Sequence, residues 1–378
     1  MSTAIHELLQ LERLDATALD AFLADRRFPI VEGNQVTFVY RGEADDVRLR
    51  HFIFGLPTSE PFHRVADTDL WYLTMDIPRC SRIEYKLERI AGDDTEWIMD
   101  PLNPNVAQDP FGTNSVCHGE GYETPEWTLP DAESRPGSLA RLHVHSEIFQ
   151  RSVEVRVYLP ARFRRRRRYP LLVVHDGDDY VRFSELDVVL DNLIQRQEIP
   201  PMIVALTQPG DRLKEYGADP RHADHLAREL VPALEARFPL IEEPSSRALM
   251  GASFGAVAAL SAAWRHPGFY GRLLLQSGPF AFSDIGKHGR GEVFDSVARF
   301  VNAFREDPGK PTERVFVSCG IYESLIYENR SLVPLLQSTG MDVRYVESRD
   351  GHNWDSWRDR LREGLSWLFP GPLWMVYE

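Results

Sequence analysis

"LMGASFGAVAAL", residues 249–260, sets glycines and alanines around one hydroxyl, Ser253, directly after a run of apolar chain. Gly251, Ala252, Ser253, Phe254 and Gly255 follow the G-x-S-x-G pattern, in which a buried strand turns abruptly into a helix. Small neighbours let so sharp a corner close. "RALM" before the turn has the character of a buried strand and "FGAVAAL" after it that of a helix, so Ser253 is expected on an exposed, strained corner with the helix's positive end beneath it. A glycine-rich turn that merely packs closely would carry the same letters, so the flanking chain has to decide.

Working outward, the chain from residue 141 alternates short apolar runs with helical stretches. "RLHVHSEIF" and "VEVRVYLP" read as a hairpin, and "YPLLVVHDG" as a strand buried on both faces. "PPMIVALTQ", "SSRALMGAS", "YGRLLLQSG", "RVFVSCG" and "MDVRYVES" repeat that texture between helices such as "ADHLARELVPALEARF" and "GAVAALSAAWRHP". Such alternation predicts a mostly parallel sheet covered on both faces. Five consecutive arginines, residues 164–168, precede a strand and so fall at the sheet's amino end, whereas ligands gather at the carboxyl ends. They are expected to be a solvated loop.

The first third of the chain has another character. "NQVTFVYRGE", "DVRLRHFIFG", "DLWYLTMDIP" and "RIEYKLERIAG" are short, partly alternating and bounded by Gly, Pro and Asp, which predicts a small antiparallel sandwich. Ahead of it, Leu8, Leu9, Leu11, Leu14, Leu19, Phe22 and Leu23 favour one helical face, with Asp15 and Thr17 as a cap between two short helices. "TLPDAESRPGSLA", residues 128–140, reads as a linker. The expected organisation is a helical segment over 1–30, an all-β sandwich over 31–130 and an α/β domain over 131–378.

A serine hydroxyl is a weak nucleophile near neutral pH and needs a base to take its proton and a carboxylate to orient that base. In α/β-hydrolases the three follow in the order serine, acid, histidine. His266, His288 and His352 lie downstream of Ser253. His266 is about three helical turns away from the serine's end of its helix, and His288 sits in a Gly-rich loop with no strand to position it. His352, in "SRDGHNWDSW", follows an apolar strand and precedes the closing helix, where a loop at the carboxyl edge would hold it. Glu323, three residues past Gly320 at the exit of "RVFVSCG", leads as the acid over Asp284, Asp295, Glu347 and Asp350. Asp350 is too close in sequence to reach the ring nitrogen that faces away from the serine. The oxyanion formed during attack needs donors. The Phe254 N–H is one, and the Asp178 N–H, beyond a tight bend at Gly177, is the other.

Composition narrows the partners. Fifty-seven acidic residues against 43 Lys plus Arg give a net charge of −14, which argues against nucleic acid and anionic membranes as partners. Three cysteines, Cys80, Cys117 and Cys319, form no C-x-x-C pair and too small a set for a disulfide framework. The opening residues lack the basic start and apolar core of a signal peptide, so a cytoplasmic location is expected. Asp176, Asp178 and Asp179 lack the following ligand and glycine of a calcium loop, and His222 and His225 lack a third zinc ligand. No metal and no cofactor are expected. A small-molecule ester is the expected partner, with room for a homo-oligomer.

"HDGDDY", "RLKEYGADP", "LMGASFGAVAALSAAWRHPGFYGRLLLQSGPF", "CGIYESLIYENRSL" and "ESRDGHNWDSWRDRL" together resemble the enterochelin (enterobactin) esterase family, within the esterase D-like α/β-hydrolases. "DLWYLTMDIP", "IEYKL" and "DPLNP" resemble the immunoglobulin-like domain that these esterases carry first. The resemblance implies Ser253 as nucleophile, His352 as general base, Glu323 as acid, and Phe254 and Asp178 as oxyanion donors. It implies hydrolysis of siderophore-type or other aryl esters through an acyl-enzyme, with feruloyl, acetyl or short-chain esters as the alternative. "QSGPFAFSDIGKHGRGE" departs from the family's aromatic-rich segment, which bears on the substrate. Arg212, with Lys214 and Arg221, could meet an anionic substrate, and Tyr180, Tyr216, Phe280, Phe282, Tyr322 and Trp354 flank the expected site and could line an aromatic pocket.

Overall fold

Strand β2 (Gln35–Arg41) shows how the first third folds. Val36, Phe38 and Tyr40 face the interior of a sandwich, while Val39 on the opposite side packs under helices α1 (Thr3–Leu9) and α2 (Ala16–Ala24). A strand with a period of two can serve both cores only if both its faces are apolar. The computed structural model describes residues 3–11 and 14–372. In it β1 (Ile30–Glu32), β2, β6 (Leu70–Asp76) and β5 (His63–Arg64) form one antiparallel sheet in that order. The second sheet runs β4 (Ser59–Pro61), β3 (Asp46–His51), β7 (Arg82–Ala91), β10 (Gly112–His118), β9 (Val106–Asp109), with β8 (Asp94–Ile98) also paired to β7. Asp15 caps α2 by accepting the Ala18 N–H, as the sequence suggested. Ile5, Leu8, Leu19 and Phe22 bury the two helices against Ile30, Val39, Val65 and Leu70, so the helices share a core with the β-sheet that follows.

The remainder is built on an eight-stranded sheet in the order β11 (Ser138–Ser146), β12 (Arg151–Leu159), β14 (Ile203–Thr207), β13 (Leu171–His175), β15 (Arg247–Ala252), β16 (Arg272–Gln276), β17 (Arg314–Gly320), β18 (Asp342–Ser348). From β14 through β17 the pairings are parallel, and the β11–β12 hairpin joins antiparallel at one edge. Alternate residues of each central strand go to opposite faces. Leu171, Val173, Leu249, Leu273 and Val315 enter one core; Leu172, Val174, Ala248, Leu274 and Phe316 enter the other. Helices α3 (Gly177–Phe183) and α4 (Leu186–Gln195) cover the second face, and α12 (Leu361–Leu368) joins them through Leu361, Leu365 and Leu368, with α11 (Trp354–Arg358) leading into it. The first face holds α6 (Pro220–His225), α7 (Val231–Arg237), α8 (Phe254–Arg265), α9 (Asp295–Glu306) and α10 (Ile326–Ser338), with the one-turn α5 (Arg212–Glu215) before α6 and a π-helical turn joining α6 to α7. The expected architecture, an α/β-hydrolase domain with a mostly parallel sheet preceded by an all-β region, is the one observed. The five arginines at 164–168 are exposed in the connection ahead of β13.

Two compact units emerge. One holds the described residues up to Thr124 together with Gly320–Ser324 and Ser348–Asn353; the other holds Pro125–Cys319, Leu325–Glu347 and the described residues from Trp354 onward.

Candidate active site

The turn at Ser253 has the strain that the glycines around it suggested. Ser253 takes φ 54° and ψ −127°, a conformation that costs a non-glycine residue on the order of 1–3 kcal/mol. Packing fixes it there. A Cβ on Gly251 would lie 2.4 Å from the Gly255 carbonyl carbon, and one on Gly255 would lie 3.1 Å from His175 Cβ. The Ser253 N–H donates to Gln276 O at 2.9 Å, which ties the corner to β16. Serine at a helix start usually turns its hydroxyl back to cap the first amides. Here the side chain makes no such cap bond, although Ser253 O receives the Ala256 N–H at 3.0 Å and so begins α8. The Phe254 N–H lies in the first turn of α8, where helix amides have no partner within the helix.

Across β13, Asp176 adopts the left-handed conformation, φ 54° and ψ 41°, and opens α3. The tight bend falls on Asp176 and not on Gly177. Gly177 is glycine for another reason: a Cβ there would stand 2.4 Å from Leu206 Cα on β14. Arg212 holds the bend through a bidentate contact, with Nε 3.0 Å from both Asp176 carboxylate oxygens and Nη2 2.7 Å from Oδ2. The Asp176 N–H donates to the Tyr216 hydroxyl at 3.2 Å. Asp178, next in the first turn, is half-buried with its carboxylate 3.2 Å from Arg156.

Glu323 lies three residues beyond β17 and His352 four beyond β18. The Glu323 carboxylate is buried and takes the Gly320 N–H at 2.7 Å on Oε1, leaving Oε2 at 2.6 Å from His352 Nδ1. A carboxylate can only accept, so Nδ1 carries the proton and Nε2 is left as the basic nitrogen. The other candidates have other partners. His266 bonds Asp224, His288 bonds Asp295, Asp284 pairs with Lys287, and Glu347 takes Arg330 in a fork at 2.7 Å. Asp350 faces Arg82 and Asn353.

A serine strained at a strand-to-helix corner and, on separate loops, a histidine hydrogen-bonded to a buried glutamate are the kinds of group that acyl transfer uses. A family profile described as "Putative esterase" matches residues 146–368. The chain belongs to this esterase family. It is a carboxylic ester hydrolase, and the similarity to enterobactin esterases runs well beyond the matched segment. The iron(III) enterobactin esterase of Escherichia coli K12 is 24% identical over 331 residues, 81% of each chain. The enterobactin esterase of Shigella flexneri, solved in the presence of enterobactin, superposes with a TM-score of 0.74 at 21% identity, over 92% of this chain and 97% of that one. A ferulic acid esterase aligns with a TM-score of 0.53 at 18% identity, over 62% of this chain and 98% of that one.

Several expectations about the esterase's binding groups need correction. Tyr180, Tyr216 and Phe280 are 0–1% exposed and belong to the hydrophobic cores. Tyr180 donates its hydroxyl to Gln276 Oε1 at 2.7 Å, and Tyr216 serves the Asp176 backbone, so both rings are structural and line no open pocket. Trp354 is likewise buried, stacked edge-on against Tyr180 and Trp357. Arg212 is engaged by Asp176, so its first task is to hold the bend. Tyr322 is half-buried with its hydroxyl 2.6 Å from Ser81 Oγ, whereas Phe282 is exposed beneath the Arg305 guanidinium. Lys214 pairs with Asp211, and Arg221 lies over the Phe149 ring.

The sequence also left His175 without a role and read His222 and His225 only as a pair without a third zinc ligand. All three are buried. His175 Nδ1 donates to Met250 O at 2.9 Å, so its Nε2 accepts from His222 Nε2 at 3.1 Å. His225 bonds Glu229 at 2.7 Å. Burial holds the His175 imidazole down to about 4 and drives His222 well below its ordinary value, keeping both rings neutral behind the serine's turn. A histidine next to the aspartates of "HDGDDY" was the available signal.

Proposed function

We propose that the esterase acts through Ser253, His352 and Glu323. His352 Nε2 takes the Ser253 proton as Oγ attacks the ester carbonyl, and Glu323 stabilises the imidazolium through Nδ1–H. Phe254 N–H and Asp178 N–H receive the oxyanion. Collapse of the tetrahedral intermediate expels the alcohol, which takes its proton from His352, and leaves an acyl-Ser253; water, activated by the same imidazole, releases the acid. The observation that carries this reading is the Glu323–His352 hydrogen bond at 2.6 Å, taken with the strained conformation of Ser253.

The substrate we infer is an enterobactin-like siderophore or a related aryl ester. Similarity to enterobactin esterases over about four-fifths of the chain supports this, and iron would arrive with the substrate. A cytoplasmic site of action fits three cysteines that form no disulfide with one another. A carbohydrate feruloyl or acetyl esterase is the second reading, favoured by the ferulic acid esterase fold match and by an acetyl esterase of Caldicellulosiruptor saccharolyticus, 34% identical over 72 residues.

Rates on ferric and iron-free enterobactin, methyl ferulate and p-nitrophenyl esters from acetate to octanoate, with Ser253→Ala as control, separate the two. Serine-dependent enterobactin cleavage well above the simple esters is the expected result. Activity confined to ferulate or short esters would keep the mechanism and move the substrate.

A further inference from the structure

The acid and the base belong to the same compact unit as the β-sandwich, and two adjacent residues at the start of β7 meet both of their loops. Ser81, buried, places its Oγ 2.6 Å from the Tyr322 hydroxyl, one residue before Glu323. Arg82 is 2% exposed and reaches the loop of His352 three times. Its N–H donates to Arg349 O at 2.9 Å, and its Nη1 donates to Asn353 Oδ1 at 3.0 Å and lies 3.5 Å from Asp350 Oδ1. Asp350 Oδ1 also takes the Gly351 N–H and the Asn353 amide, each at 2.7 Å. The two loops touch directly, since Tyr322 N–H donates to Asp350 O at 3.1 Å and a Cβ on Gly320 would lie 2.3 Å from that oxygen. His352 therefore stands between residues that are bonded on both sides.

We propose that Arg82, a residue of the sandwich, is a positioning residue for catalysis: through Asp350 and Asn353 it sets the backbone that aims the His352 ring. This rests on the reading of His352 as the base. Stability alone does not call for such a group, because a buried arginine with carboxylates at Asp350 and Glu84 carries a desolvation cost that apolar packing would avoid. A planar fork that satisfies several acceptors at fixed angles does orient a loop.

The test is a double-mutant cycle between Arg82→Met and His352→Ala on p-nitrophenyl acetate, with thermal melting of every variant. Misaiming a base by about 1 Å costs on the order of 10²-fold, so R82M is expected to lose that factor in kcat with KM within about threefold. In the His352→Ala background, the same substitution should change the residual rate by less than about twofold. R82K should recover about tenfold of the loss, since an ammonium can reach one acceptor but not all. Wild-type kcat in a folded R82M protein, or the full loss reproduced without His352, would overturn the proposal. If R82M does not fold, Asn353→Ala carries the same two criteria. Failure of the underlying reading looks different: the His352→Ala enzyme would itself turn over normally.

Discussion

The turn at Ser253 and the loops of Glu323 and His352 are held in contrasting ways. Gly251 and Gly255 close the corner at Ser253 by close contact within five residues, and the neighbours that complete it, Gln276 and His175, come from adjacent strands of the same sheet. Glu323 and His352 hang on loops whose anchors, Ser81 and Arg82, lie 241 and 271 residues away in sequence from Tyr322 and Asn353. A corner made by small residues can be encoded in a pentapeptide. A loop aimed by a distant arginine cannot, and its failure should show in rate before it shows in folding.

Substitutions can break this contrast at several depths. Ser253→Ala should remove on the order of 10⁶ in kcat, with the melting curve little changed because alanine keeps the strained backbone conformation. Glu323→Gln keeps the shape of the pair but exchanges a charged acceptor for an amide, and about 10⁴ in kcat is the expected loss from a wrong tautomer. Gly251→Ala tests the turn from the packing side. Its methyl group would meet the backbone of Gly255, so about 3 kcal/mol of stability should go along with activity, measurable by urea unfolding. An equally stable Gly251→Ala protein would show that the corner is not closed by close packing.

Acid provides a smaller and distinct probe of the turn. His175 titrates near 6.5 in the unfolded chain but is held at about 4 in the fold, so the native state takes up fewer protons between those values. Its contribution is complete above pH 6.5 and is lost as the pH falls toward 4; at pH 5 the loss is about 2 kcal/mol. Asp350 in the His352 loop runs the other way. Burial pushes its carboxyl up to about 7, against the pull of Arg82 and the Asn353 and Gly351 hydrogen bonds and with Glu84 adding to the rise. The fold then holds a proton that the unfolded chain has released, so stability declines as the pH rises from about 4 through 7. Asp350→Asn should flatten that decline by on the order of 2–3 kcal/mol in melts taken between pH 5 and 8. A slope unchanged by the substitution would remove Asp350 from this account.

The same contrast explains what was legible in the sequence. Alternation along "NQVTFVYRGE" and the unbroken apolar runs of "PLLVVHDG" and "RALM" mark the two kinds of sheet because burial on one or both faces leaves a direct trace in residue order. The order of serine, glutamate and histidine, with a strand before each, led to Glu323 and His352, which stand 2.6 Å apart. Tyr180, Tyr216 and Phe280 misled because an aromatic side chain near a site looks the same in sequence whether it fills the core or lines a cavity. The roles of Arg212 and His222 were hidden for a related reason: their partners Asp176 and His175 are adjacent to them only in the fold. Arg82 offered no signal at all, since nothing in "CSRIEYKL" distinguishes a buried guanidinium from an exposed one on an alternating strand.

The most direct measurement is covalent. Diethyl p-nitrophenyl phosphate transfers its diethylphosphoryl group to an activated serine and releases p-nitrophenol, so intact mass, peptide mapping and residual activity can be followed in one sample. A single adduct on Ser253, rising in step with lost esterase activity and formed far more slowly in the His352→Ala protein, is the predicted result. Full modification of Ser253 with turnover retained, or inactivation with Ser253 untouched, would contradict it.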